Sequence, residues 1–267
     1  MPINLVLVRH GESEGNVANR ASRQGDDSYF TEEFRRKHNS RFRLTDLGRQ
    51  QADTAGRFIR NQMEALLPFD RHYVSEYTRA VETAAHLELP RAQWYIEFYL
   101  RERDWGAMDN MPDRERHEAF LSEMQRRERD AFYWAPSGGE SMADLCQRID
   151  RVLDTLHREC SDKNIIIVCH GEVMWAFRVR LERLTQEAYR QLDESEDPKN
   201  RIHNCQILHY TRRDPETRKL GKYLGWKRSI CPTDTRLSHN SWESITRQRF
   251  ANNDLLRMVN VVRQLIY

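Results

Sequence analysis

Ile3-Asn4-Leu5-Val6-Leu7-Val8 runs directly into Arg9-His10-Gly11-Glu12, and a second apolar run, Ile165-Ile166-Ile167-Val168-Cys169, ends the same way at His170-Gly171-Glu172. Short, uncharged runs rich in branched apolar side chains read as strands buried on both faces. Both histidines then stand at the carboxyl ends of strands, and in open parallel α/β sheets that edge is where ligands bind. Two strands that deliver the same tripeptide to one edge decide the reading.

Working outward, the connecting stretches have helical spacing. A helix capped at Thr45-Asp46 continues to Met63 and stops before Pro68, and a second runs from Tyr77 to Leu89, ending at Pro90. Ser141 to Glu159 places Met142, Leu145, Ile149, Val152, Leu153 and Leu156 on one helical face. Tyr73-Val74-Ser75 and Gln206-Ile207-Leu208-His209-Tyr210 read as short strands. Strands alternating with helices predict an α/β three-layer sandwich, a mostly parallel central sheet flanked by helices. Two stretches break the rhythm: the polar residues 17–43, expected as an insertion near the strand edge, and the charge-dense residues 104–136, expected as helices passing over that edge.

The 267 residues carry 43 basic and 41 acidic side chains, so the whole chain is no polyelectrolyte. The balance is an average over unlike parts, −5 for residues 1–210 and +7 for residues 211–267. The expected organisation is a catalytic domain over 1–210 and a basic extension over 211–267, whose terminal helix (Leu255 to Ile266) packs on the domain. Of the basic residues 37 are Arg, the side chain suited to bidentate contact with phosphate, although a GC-rich genome produces the same skew. Five cysteines without a CxxC pair argue against a disulfide framework or a structural zinc site. With no apolar stretch near ~20 residues and no signal-peptide pattern, a reduced cytoplasmic protein with no membrane partner is expected.

A histidine that accepts a phosphoryl group needs a neutral imidazole, fixed cations around the phosphate and a proton donor for the leaving oxygen. His10 is flanked by Arg9, His170 ends the other strand, and Arg79 follows the Tyr73 strand at a helix start. Neighbouring guanidinium charges disfavour imidazolium and neutralise the transferring oxygens. Glu102, near Trp105, is a carboxyl that can stay protonated as the general acid. The same arginines would repel a cation, so neither a metal nor another cofactor is expected.

Arg9-His10-Gly11-Glu12-Ser13-Glu14-Gly15-Asn16 resembles the signature of the histidine phosphatase (phosphoglycerate mutase-like) superfamily. The resemblance continues in order through Leu44–Ala52, Ser75–Ala84, Leu100-Arg101-Glu102, Gly138-Gly139-Glu140-Ser141 and Val168-Cys169-His170-Gly171. It implies His10 as the phosphorylated nucleophile and Glu102 as proton donor. It also implies a phosphate pocket of Arg9, Arg79 and His170, with Asn16, Ser22 and Gly171 as further contacts. A small phosphorylated substrate, hydrolysed without a cofactor, is the expectation. Glu172 departs from the pattern, since a carboxylate there weakens phosphate binding unless an arginine compensates it. The motifs leave a phosphoglycerate mutase-type phosphotransferase open, and the +7 tail leaves open a module binding a phosphorylated or nucleic-acid ligand, with nucleic acid the lesser expectation.

Overall fold

The computed structural model describes residues 1–64 and 68–266. Seven strands form one sheet: β1 (Asn4–Arg9), β2 (Arg71–Val74), β3 (Trp94–Ile96), β4 (Asn164–Cys169), β5 (Ile207–Thr211), β6 (Trp226–Ile230) and β7 (His239–Ser244), in the order β3-β2-β4-β1-β5-β6-β7. The helices are α1 (Glu14–Arg23), α2 (Glu32–Arg36), α3 (Asp46–Ile59), α4 (Thr78–His86) and α5 (Asp113–Ala119). They continue as α6 (Leu121–Arg129), α7 (Met142–Glu159), α8 (Gly171–Glu182), α9 (Gln186–Asp193) and α10 (Asn252–Asn260).

Side chains alternate across the central strands, which produces the layers. Leu5, Leu7, Ile165 and Ile167 meet Leu145 and Ile149 of α7 and Phe177 of α8 on one face. Val6, Val8, Ile166 and Val168 meet Ala52, Ala55 and Ile59 of α3 and Ala80 and Ala84 of α4 on the other. Helix α7 begins where its sequence says it should: Ser141 accepts from the Asp144 amide while Asp144 accepts from the Ser141 amide, a closed capping box.

The expected mostly parallel sheet is borne out in part. β3, β2, β4 and β1 run parallel, but β5, β6 and β7 are each antiparallel to the preceding strand, so half of the six pairings are parallel. The reason lies in the connections. Strands β5 to β7 are joined without an intervening helix of three turns, and short returns join antiparallel neighbours; β5 itself comes back from α8 and α9 running against β1. Two of these strands come from the basic extension, so its first part completes the sheet. Leu256, Met258 and Val259 of α10 are exposed rather than laid against the sheet. Residues 17–43, expected as an insertion, hold most of α1 and all of α2; α5 and α6 fall in the 104–136 excursion. Among the described residues no helix is long and apolar enough to cross a membrane.

Candidate active site

β1 and β4 pair in parallel with Arg9 opposite Cys169, so His10 and His170 leave adjacent strands at the same level. Their rings meet edge to face with centroids 5.2 Å apart, and both are buried. His10 Nδ1 lies 2.7 Å from the Gly11 carbonyl oxygen, and Arg79 Nε donates to His10 Nε2 at 3.2 Å. Those two contacts define one tautomer: hydrogen on Nδ1, lone pair on Nε2. Burial, reinforced by Arg79 and then Arg9, holds His10 well below the usual histidine value and therefore neutral near pH 7. His170 is held down by burial first and by Arg79 second.

Arg79, at the start of α4, is buried and aimed by two bonds from Nη1, to the Asn39 carbonyl at 2.8 Å and to Asn39 Oδ1 at 3.0 Å. Arg9 donates from Nη1 to the Ile202 carbonyl at 2.6 Å. Arg9 Nε and His170 Nδ1 are buried without a hydrogen-bond partner among the described residues. His170 Nε2 is 2.8 Å from Ser75 Oγ, so a hydroxyl donating there leaves the proton on Nδ1. Glu102 brings its carboxylate to within 4.8 Å of ring nitrogens of both histidines. Burial pushes its carboxyl up, Arg79 opposes that, and Glu172 adds to it. The same three side chains could in principle ligate a metal, but two adjacent guanidinium charges work against a cation.

Most expected residues come together. His10, Asn16, Arg79 and Glu102 line a cavity of about 140 Å³, with Arg9 and His170 beside His10. Asn16 closes the cap of α1 and accepts from Asn204 Nδ2 at 3.1 Å, both through Oδ1. Gly171 opens α8, whose first-turn amides lack intrahelical partners, and sits against the Arg9 guanidinium. Ser22 is a correction: its hydroxyl donates to Asp27 at 2.5 Å and accepts from the Asp113 amide at 2.7 Å, and it does not line the cavity. It ties α1 to α5 instead.

Glu172 has the compensating arginine that its position requires. Arg103, buried and held by the Glu140 and Trp134 carbonyls, reaches Glu172 at 3.5 Å. Ser75, Asn39 and Asn204 were not legible as site residues; Ser75 and Asn204 are loop polar groups and Asn39 opens a single 3-10 turn, and a lone Ser or Asn in such places carries no periodic signal. Asn19, Trp105, Asp109 and Asn110 complete the outer wall.

Fold and site together define a class: an α/β protein whose strand edge carries an imidazole and guanidinium anion site. A family model described as the histidine phosphatase superfamily (branch 1) matches residues 5–220. The chain belongs to that superfamily. Among curated proteins it is 31% identical over 173 residues to a 6-phosphofructo-2-kinase/fructose-2,6-bisphosphatase of Aquarana catesbeiana and 32% identical to one of Mus musculus; the match covers 65% of this chain. It spans only 31% of the length of these relatives. Similar solved structures include a mycobacterial glucosyl-3-phosphoglycerate phosphatase (22% identity, TM-score 0.60, 78% of this chain and 92% of that one). Another is the alpha-ribazole phosphatase of Shigella flexneri (21% identity, TM-score 0.61, 83% and 95%). These two likenesses concern the fold.

Proposed function

We propose that the chain is a phosphatase that hydrolyses a small phosphate monoester through a phosphohistidine on His10. The observation that carries this reading is the His10 tautomer: Nδ1 is anchored to a carbonyl, and the lone pair sits on Nε2, where it accepts from Arg79 and turns to phosphorus once that guanidinium pairs with the phosphate. Nε2 attacks, the P–N bond forms, and the P–O bond breaks with its electron pair going to the leaving oxygen. Glu102 supplies the proton that this oxygen needs, and burial is what keeps that proton available. Arg9 and Arg79 neutralise the transferring oxygens, the main requirement in phosphoryl transfer, and the neutral His170 donates to them from Nδ1–H. Water then attacks phosphorus while Glu102 takes its proton, the P–N bond breaks, and His10 returns neutral. The names of the bisphosphatase relatives support a small phosphorylated metabolite as substrate.

Rapid quenching with substrate labelled on its phosphorus should trap an acid-labile, base-stable phosphoenzyme in the wild type and none in His10→Ala. A labelled intermediate that persists in His10→Ala would overturn the assignment. Incubation with 3-phosphoglycerate separates hydrolysis from mutase chemistry: phosphate release should outpace isomerisation, and the reverse would replace the hydrolase reading.

A further inference from the structure

A second cavity, of about 330 Å³, opens between α8, α9 and strands β5 and β6. Its apolar part is Ile202 and Leu208, buried, with Leu184 and Leu192 partly buried; Arg228 of β6 and His239 and Glu243 of β7 add polar wall. Its buried acid is already neutralised: Glu182 pairs with Lys227 at 2.6 Å and Arg178 at 3.1 Å, and accepts from Tyr210 Oη at 2.8 Å. Lys199 and Arg201 stand exposed at the rim, and neither forms an ion pair among the described residues. A concave site that joins an apolar patch to convergent polar groups suits a small molecule with both kinds of surface.

The wall of this cavity is also the support of the catalytic site. Along residues 199–206, Ile202 takes the Arg9 guanidinium on its carbonyl at 2.6 Å. Asn204 donates to the His10 carbonyl at 3.0 Å, and the Cys205 amide donates to the Arg9 carbonyl at 3.1 Å. Cys205 has φ 56°, a left-handed conformation that costs a non-glycine residue energy and persists only where its surroundings enforce it. Ile202, Asn204 and Cys205 thus link the wall of this cavity to Arg9 and His10 by hydrogen bonds.

We propose that this cavity is a regulatory site for a small amphipathic anion, an apolar body bearing one carboxylate or phosphate head. The body lies on Ile202, Leu208 and Leu192, and the head pairs with Lys199 and Arg201. Binding rigidifies residues 199–206, holds Arg9 in place and lowers KM with kcat little changed. The coupling rests on the phosphatase reading; the binding does not.

Octanoate is the probe, with n-octanol as body without head and acetate as head without body. Calorimetry is run with excess inorganic phosphate filling the catalytic site. Octanoate should bind the wild type with Kd below ~1 mM, and roughly 10-fold more weakly in the Lys199→Ala/Arg201→Ala double variant. Leu192→Trp, checked for folding by its thermal melt, should weaken it by a similar factor by filling the hollow. Octanol should bind roughly 10-fold more weakly than octanoate, and acetate not measurably. Octanoate affinity untouched by both variants, or matched by acetate, would remove the site. In assays with p-nitrophenyl phosphate, saturating octanoate should lower KM about twofold in the wild type and in neither variant. Normal binding with an unmoved KM would remove the coupling, whereas absent turnover would count against the phosphatase reading and leave calorimetry to decide the site.

Discussion

His-Gly-Glu occurs twice, at the ends of β1 and β4, and the two copies do different work. After β1 the tripeptide turns into a loop pressed against the start of α3: a Cβ on Gly11 would stand 2.3 Å from the Gly48 carbonyl oxygen. Glu12 there is structural, bonded to Arg20 at 2.6 Å and Thr45 Oγ1 at 2.9 Å. After β4 the tripeptide enters α8 directly, and a Cβ on Gly171 would meet Arg9 Nε only at 3.5 Å, an ordinary contact. Glu172 faces Arg103 and the Glu102 carboxyl instead. The same three residues thus enter a sterically locked loop in one place and the N-terminus of a helix in the other. Backbone surroundings, more than residue identity, assign the roles.

The sharpest way to break this comparison is to remove each imidazole. His10→Ala should cost roughly 10⁴-fold or more in kcat and abolish the phosphoenzyme, whereas His170→Ala should cost about 10²–10³-fold and still form some. Equal losses with no labelled enzyme in either variant would mean that the two histidines act as one unit. Next comes the acid. Glu102→Gln should lower kcat by roughly 10²–10⁴-fold and remove the alkaline limb of the kcat/KM profile. In the wild type the donor must be protonated, and burial raises the Glu102 pKa, so activity should fall only above the ordinary glutamate range. His10 is held well below 6.5, so the acid limb should lie well below that value.

The glycines test the steric half. Gly11→Ala should destabilise by about 1–3 kcal/mol, because backbone must move to admit the methyl group. Gly171→Ala should lie between neutral and about 1 kcal/mol stabilising, since its backbone is not left-handed and the site has room. Denaturant melts giving equal losses would show that the two turns are packed alike. The smallest effect is electrostatic. Glu172→Gln removes a negative charge that raises the Glu102 pKa, so the alkaline limb should move to lower pH. A limb that stays put would mean that Arg103 already screens that charge, and one that moves up would overturn the assigned sign.

Both histidine strands and α7 were legible because their apolar residues recur with the period of a buried strand or an amphipathic helix. Helix α8 was not, because it is buried nearly all round, Val173 to Phe177 included, which leaves no periodic contrast. Strand β7, His-Asn-Ser-Trp-Glu-Ser, is polar along an exposed edge and offers no apolar run. At the site, the motif spacing located His10, Arg79 and Glu102, whose chemistry is tied to residue type. It misplaced Ser22, whose hydroxyl is already engaged by Asp27 and the Asp113 amide, and it could not show that Arg103 would meet Glu172. Those are facts of side-chain direction, which chain order does not encode.

The arrangement of β5, β6 and β7 has a consequence for solubility. All five residues of β5 are buried, so as a terminal strand it would offer a row of unpaired amides and carbonyls beside Ile207, Leu208 and Tyr210. Such a row is a template for self-association. The family match stops at residue 220, before β6 begins at Trp226. The basic extension therefore moves the rim of the sheet outward, from an apolar strand to one bearing His239, Asn240 and Glu243.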